Sequence, residues 1–588
     1  MKFLNIIKQN YWLTAIIAIA SLLRLYHLNF QSMWMDEIYT MNISNPKLSF
    51  LELHQENLLR DGFPDFYFLL LRFFYFIFGY SEVVARLVSA LAGIGGVYVI
   101  YLLGKEIFNK NVGLIAAFLL CFNDFHIYYS QEARPYTLFL LTVVLSFYRL
   151  SVFIKNINLK NAIWYGLSCG LILNTHLFGL ITVFSQALIL LGLLVFSEKV
   201  NRLNIFKLSA IAGVIALVMF APNYQMFIKI TNVKSFWVAP PTQEGFSLLM
   251  KEFFGNSEYL IFIFSFIFVY FIFKIFNNDS KEINLKSILN SPLNYSFSFL
   301  FSWFFTFLII VLVKTYSGAS LFLPRYFMSV VPVFIIVLAI GIHLIKNHLI
   351  KIVLLVTILT FSFFNLIVVK KYYKNTNKTQ FRETADFIIK NNTQKEVVNT
   401  NLAYWFDFFL NTDTVKTNLV NKSLDAFVTE MIADPSRKVN FWHADGFGNP
   451  YKVTAESQRF LDENFIIEKN IDLYDSWTKH FVLKTAANQK AFTESVKNNA
   501  VTNGLTLCNL SDENWTGGVA VSGNTLLFDF SPDKVILLKT ATKLTFKDGK
   551  AATISGYEVV GNYIHVRTNE NTADYKDAAV YPNLIQIN

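Results

Sequence analysis

Val83-Val-Ala-Arg-Leu-Val-Ser-Ala-Leu-Ala-Gly-Ile-Gly-Gly-Val-Tyr-Val-Ile-Tyr-Leu-Leu103 is a mostly apolar run bounded by polar residues. At about 1.5 Å per residue, some 20 such residues cross roughly 30 Å of hydrocarbon as a helix. Lys105 and Lys110 follow the run, so the positive-inside rule places its far end in the cytoplasm. It therefore descends. An earlier apolar stretch, from about Tyr11 to His27, has Lys2 and Lys8 before it and no small-residue cleavage site after it. That pattern describes a retained rising anchor and not a removed signal peptide. The loop between the two runs, about residues 28–82, is then external. Its aromatic part, Phe66 to Gly79, is too short to cross and is expected to be an interfacial helix. If it crossed, the basic loops that follow would all fall outside.

Moving forward, apolar runs alternate in the same way as far as about Val369. Basic residues at Lys155 and Lys160, at Lys199 and Arg202, near Lys286 and at Lys346 mark the cytoplasmic turns. The result is about eleven spans with the tail outside. The expected class is a polytopic α-helical membrane protein with a C-terminal extracytoplasmic region. Composition agrees: 54% of the 588 residues are hydrophobic, 16% are charged, and 61 are Phe. Soluble domains do not have this balance. The net charge of +10 follows from basic loops flanking spans, so no nucleic-acid partner is expected. Lys370, Lys371, Lys374 and Lys378 lie outside in this scheme, where charges beside a long translocated region count for less. Cys121, Cys169 and Cys508 are far apart, without metal-ligand spacing or a disulfide framework.

Three regions are expected: a transmembrane domain at 1–370, an α/β domain at 371–490 and a β-rich domain at 491–588. Phe381 to Ile389 has a helical pattern and Glu396-Val-Val398 a short strand pattern. Beyond about Leu505, strand-like runs such as Leu526 to Phe530 and Tyr563 to Arg567 alternate with turns at Ser522-Gly-Asn524, Asp548-Gly549 and Val560-Gly-Asn562, the pattern of a β-sandwich. Trp515, in Asp512-Glu-Asn-Trp-Thr-Gly-Gly518, is either a core residue or a platform for a sugar ring.

One topology places Asp36, Asp61, Asp65, Glu132, Arg134, His176, Lys314 and Arg325 at the external ends of spans. Each has a plainer reading. Asp36-Glu37 suits a helix start, Arg134 and Arg325 suit snorkelling, and Glu132 suits a structural pair with Arg134. A metal site built from nearby acids has no fixed ligand spacing to support it, so a divalent cation remains only a possibility. His126 and His176 read first as hydrogen-bonded interfacial residues. Trp34, Tyr128 and Tyr129 suit either an aromatic belt or the lining of a sugar or prenyl path.

Asp36-Glu37, Asp61-Gly-Phe-Pro-Asp65, Tyr128-Tyr-Ser-Gln-Glu-Ala-Arg-Pro-Tyr136 and Leu323-Pro-Arg-Tyr326, in this order, together resemble the GT-C superfamily of membrane glycosyltransferases. The resemblance is to the branch of protein O-mannosyltransferases and lipid A aminoarabinose transferases, over about Tyr11 to Val369. It implies that Asp36 is the catalytic base, with Glu37 beside it. Phe63-Pro-Asp-Phe-Tyr67 stands where the family usually has His-Pro-Pro-Leu-Tyr, so Phe63 replaces the common His and Asp65 the second Pro. Ser130 to Tyr136 is the closest match. The resemblance further implies a bacterial inner-membrane setting with the site and tail on the periplasmic side.

The chemistry suits these residues. A sugar on a polyprenyl phosphate carries its own good leaving group, so no acid is needed to protonate the departing oxygen, unlike glycoside hydrolysis. One base and a cation cluster suffice. Asp36 and Glu37 are the catalytic candidates. Asp61, Asp65, Tyr67, Glu132, Arg134, Tyr136, His176, Lys314, Arg325 and Tyr326 are candidates to hold substrate, and inversion at the anomeric carbon is expected. The acceptor is a hydroxyl on protein, lipid or glycan. The rival reading is a transporter or flippase for lipid-linked sugars, which commonly has paired repeats or mid-span polar residues. A silent glycan-binding scaffold is a third.

Overall fold

The computed structural model describes residues 10–232, 238, 240–242, 244–277, 285–318, 320–485 and 488. Beyond these it describes residues 520–522, 525–529, 535, 538, 543–545, 551–560, 563–570 and 585–586. Trp515 and Cys508 lie outside the described residues. The chain divides into two compact units, one of Met1–Phe30 with Met35–Thr376 and the other of Gln31–Trp34 with Asn377–Asn588.

The first unit is helical. Its opening helices are α1 (Tyr11–Leu25), α2 (Met35–Ile43), α3 (Phe50–Arg60), α4 (Phe66–Phe78) and α5 (Glu82–Ile107). They are followed by α6 (Lys110–Cys121), α7 (Asp124–Ser130), α8 (Tyr136–Lys155), α9 (Leu159–Leu173) and α10 (Gly179–Phe196). Further apolar helices run over Lys199–Phe220, Glu258–Phe276, Pro292–Ser317, Val331–Leu344 and His348–Phe364. The chain is thus a polytopic helical membrane protein, and each stretch expected to span is helical. Among the described residues, seven helices are long and apolar enough to cross singly, or eight if α6 and α7 form one span bent by 64°. That is fewer than the expected count, because α1 and Val331–Leu344 are shorter and α9 has 15 residues. α4, at 13 residues, covers about 20 Å at the helical rise, short of the hydrocarbon thickness.

Helix starts follow local chemistry. Ser49 accepts from Glu52 N–H while Glu52 bonds back to Ser49 N–H, a reciprocal cap on α3. Ser81, Asn109 and Asn158 cap α5, α6 and α9 with side-chain oxygens. Asn123 breaks the α6–α7 pair: its Oδ1 accepts from His126 N–H and its Nδ2 donates to Phe253 C=O at 2.7 Å. Close packing depends on small residues. A Cβ at Gly113 would meet Tyr101 C=O at 2.4 Å, and one at Gly93 would meet Ser130 Oγ at 2.2 Å.

The second unit contains a five-stranded sheet of β1 (Val397–Thr400), β2 (Leu419–Asn421), β3 (Phe441–Gly446), β4 (Phe465–Leu473) and β5 (Ser476–Leu483), in the order β2-β1-β3-β5-β4. β1 runs parallel to β2 and β3, while β5 is antiparallel to β3 and β4. Helices Phe381–Asn391, Ala403–Leu410, Leu424–Ala433 and Ala455–Asn464 alternate with the strands, giving the expected α/β character. β6 (Ala520–Ser522) to β11 (Ile585–Gln586) form a second, six-stranded sheet. Among the described residues its pairings are antiparallel.

Candidate active site

α2 opens with Asp36 and Glu37 in its first turn. Adjacent helical residues point about 100° apart, and the two carboxylates take different surroundings. Glu37 is fully buried. Its Oε1 accepts from Arg86 Nε at 2.8 Å and from Ala133 N–H at 2.8 Å, and its Oε2 accepts from Arg86 Nη2 at 2.7 Å. Arg86, itself buried, also donates to Leu28 C=O at 2.8 Å. Glu37, expected as a second catalytic carboxylate, is held in a buried brace: the pair ties α2 to α5 and, through Ala133 N–H, to the loop before α8.

Asp36 faces the other way. Its Oδ2 accepts from Arg325 Nη1 at 3.2 Å, across 289 residues of sequence, with both side chains partly exposed. The Asp36 carbonyl accepts from Arg134 Nη1 at 3.0 Å, and that nitrogen also donates to Thr40 Oγ1 at 3.0 Å. Arg134 grips Asp61 with two bonds, Nη1 to Oδ2 at 2.6 Å and Nη2 to Oδ1 at 3.1 Å. Its guanidinium lies 4.6 Å above the Phe63 ring. Phe63 thus supplies an aromatic face to the arginine.

His176 follows α9. It is buried, stacked on Phe139 at 4.7 Å and set edge-on to Phe63 at 4.9 Å and Tyr326 at 6.1 Å. Burial, and then the charges of Arg134 and Arg325, push its pKa down to about 3. Tyr136, buried, packs on Phe63 and Tyr129. Tyr326, beside Arg325 in a short 3-10 turn (Pro324–Ser329), packs on Phe178 at 4.8 Å. Asp36, Asp61, Arg134, Tyr136, His176, Arg325 and Tyr326 therefore form one cluster.

The remaining candidates stand apart from it. Tyr67 is buried, its hydroxyl on Ser89 Oγ at 2.8 Å, and Ser89 donates on to Arg134 C=O at 3.0 Å; this supports the arginine's backbone. Asp65 accepts from His54 Nδ1 and Asn57 Nδ2, each at 2.6 Å. It organises the turn between α3 and α4. Glu132 is buried, and its carbonyl accepts from Arg134 N–H at 2.7 Å. Lys314 is exposed near the end of Pro292–Ser317 and makes none of the hydrogen bonds or ion pairs that join the cluster among the described residues. His126, expected as a hydrogen-bonded interfacial residue, is hydrogen-bonded but fully buried, with Nδ1 2.8 Å from Arg24 Nη2.

Sequence reasoning missed Arg86, Arg24, Lys229 and His54. Arg86 and Arg24 carried a usable signal, since a charge inside an apolar run demands a partner. Lys229, which donates to Asp61 C=O at 3.2 Å, carried none. Among the described residues, no three His, Cys, Asp or Glu side chains come together to hold a metal ion. Asp36 and Asp61 each face a guanidinium instead.

This arrangement can be set beside known proteins. Comparison with curated sequences finds no match. Residues 64–225 match the family model described as dolichyl-phosphate-mannose-protein mannosyltransferase. The crystal structure of ArnT from Cupriavidus metallidurans bound to undecaprenyl phosphate is similar to this chain with a TM-score of 0.51. The match is 12% identical and covers 80% of this chain and 98% of that one. The fold is GT-C. The oligosaccharyltransferase AglB from Archaeoglobus fulgidus, solved with an inhibitory peptide and a dolichol-phosphate, is 11% identical over 74% of this chain and 69% of that one. Its TM-score is 0.48. Within the GT-C fold the family-model match begins inside the Phe63–Tyr67 element and takes in Ser130–Tyr136, so the most family-like sequence carries Arg134 and Tyr136.

Proposed function

We propose that this protein transfers a monosaccharide from a polyprenyl-phosphate donor to an acceptor hydroxyl on the non-cytoplasmic face of the membrane. The setting is a bacterial inner membrane with the site and tail in the periplasm. The observation that carries the reading is the meeting of Asp36 with Arg325, and of Arg134 with Asp36 C=O and Asp61, in one partly open cluster. A base and two guanidiniums are what this reaction asks of a protein.

Asp36 accepts the proton of the acceptor hydroxyl as its oxygen attacks the anomeric carbon. The bond from that carbon to the phosphate oxygen breaks, and the departing polyprenyl phosphate gains one negative charge. Arg325 and Arg134 balance that charge. Attack opposite the leaving group inverts the anomeric centre. Glu37 holds α2 in place through Arg86, and Lys314 has no part.

The test is sugar transfer by purified protein with a panel of polyprenyl-phosphate sugars and acceptors, comparing the intact chain with Asp36→Asn. Transfer with inverted product, lost in the folded variant, is expected. Equal transfer by both removes Asp36 from the role. A product that retains the donor's anomeric configuration rules out single displacement.

A further inference from the structure

The turn Asn174-Thr-His176 is held from several sides. Asn174 donates to Gly170 C=O and Met219 C=O, each at 2.8 Å, and accepts from Asn223 Nδ2 at 2.8 Å. Thr175 is buried, with its hydroxyl on Ile172 C=O at 2.8 Å. The His176 ring cannot drift with its backbone fixed and with Phe139, Phe63 and Phe178 around it.

Its two nitrogens differ. Phe178 N–H donates to Nδ1 at 3.1 Å, so Nδ1 carries no proton and, in the neutral ring, Nε2 does. Nε2 is buried and has no hydrogen-bond partner among the described residues. Arg134 Nε, above the same Phe63 ring that His176 touches, is likewise buried without a partner. Two N–H donors left unmatched beside one ring are costly in a folded protein unless something brings an acceptor to them.

We infer that His176 Nε2–H hydrogen-bonds a phosphate oxygen of the lipid-linked donor, as a neutral donor beside Arg134 and Arg325. This rests on the proposed reading of the site. Nδ1 is occupied and Nε2 holds a proton, so this tautomer excludes His176 as a general base. A donor-only atom flanked by two cations suits an anionic oxygen better than a sugar hydroxyl. Because the ring is neutral, it adds a bond without a third positive charge, and the phosphate is released more readily after transfer.

The test uses the full chain in detergent and two probes, undecaprenyl monophosphate and undecaprenol, which differ only in the phosphate. The intact protein is expected to prefer the phosphate. His176→Phe, which keeps the aromatic packing and removes the N–H, should weaken phosphate binding by about 10- to 100-fold, the equivalent of a hydrogen bond to a charged group. Binding of the alcohol should not change. His176→Gln, which retains an N–H donor, should keep the preference. A folded His176→Phe protein with undiminished phosphate binding overturns the inference and leaves the site reading intact. If the intact protein shows no preference for the phosphate, the site reading fails and the inference with it. Should His176→Phe not fold, His176→Gln decides: a kept preference supports the inference, and equal loss of both ligands overturns it.

Discussion

The polar network around Glu37 and the one around Asp36 begin one residue apart and are built on opposite principles. Glu37, Arg86 and Ala133 N–H form a buried, hydrogen-bonded set. Around Asp36 the Asp36–Arg325 pair is partly exposed, Arg134 is buried, and the buried Nε2 of His176 and Nε of Arg134 have no partner among the described residues. A closed network holds helices in place, whereas an open one is ready to receive a ligand's charges and oxygens. His443 in the second unit makes the same point. It too is buried and pushed down to about 3, chiefly by burial, but its Nδ1 meets Asn399 Nδ2 at 2.9 Å and its cross-strand partner is Lys479. A buried histidine with its bonds made reads as part of the core.

The contrast breaks most readily at Asp36. Asp36→Asn should cost about 10²- to 10⁴-fold in transfer rate, the usual range for a lost general base. Its unfolding midpoint should hardly move, because a partly exposed ion pair contributes about 0–1 kcal/mol. Glu37→Gln should do the reverse. It leaves Arg86 buried without its counter-charge and should lose about 3–5 kcal/mol of stability in thermal or denaturant unfolding. If Glu37→Gln proves as stable as the intact chain and catalytically dead, Glu37 is no brace and the comparison collapses.

Acid sharpens it further. His176 and His443 have folded pKa values near 3 against an ordinary 6.5, so between those values the unfolded chain binds more protons. Their stabilising effect is complete above pH 6.5 and falls as pH drops, by about 1 kcal/mol per histidine at pH 5.5. Unfolding midpoints followed from pH 7.5 to 5 should decline, and less steeply in His176→Phe. The smallest effect belongs to Lys314→Ala. Exposed and outside the cluster, it should change donor KM by less than about 2-fold; a large rise in KM would bring Lys314 into the phosphate site.

Much of this was legible in the chain. Hydrophobic run length announced the helices, because it depends on local transfer energetics and not on packing partners. The short aromatic segment Phe66–Phe78 was readable as a helix too short to cross for the same reason. The number of full-length spans was not, since α1 and Val331–Leu344 fall below the needed length in the folded chain. The cluster was legible only as a list. Asp36, Arg134 and Arg325 stood out, yet nothing in their spacing distinguished them from Lys314, which the fold leaves at the surface. Arg86 was overlooked inside an apolar run, although a charge there always signals a buried partner.

The sequence by itself determined that this chain crosses a membrane repeatedly, that its acids and arginines collect at the ends of helices, and that a tail of mixed α and β character follows. These properties follow from composition and period along the chain. Only the tertiary structure decided that Glu37 pairs with Arg86 while its neighbour Asp36 meets Arg325 from 289 residues away. It also decided that His176 Nε2 is buried with no hydrogen-bond partner among the described residues. The reason is geometric: a helix turns adjacent side chains about 100° apart, and what each then faces is set by helices packed against it from distant parts of the chain.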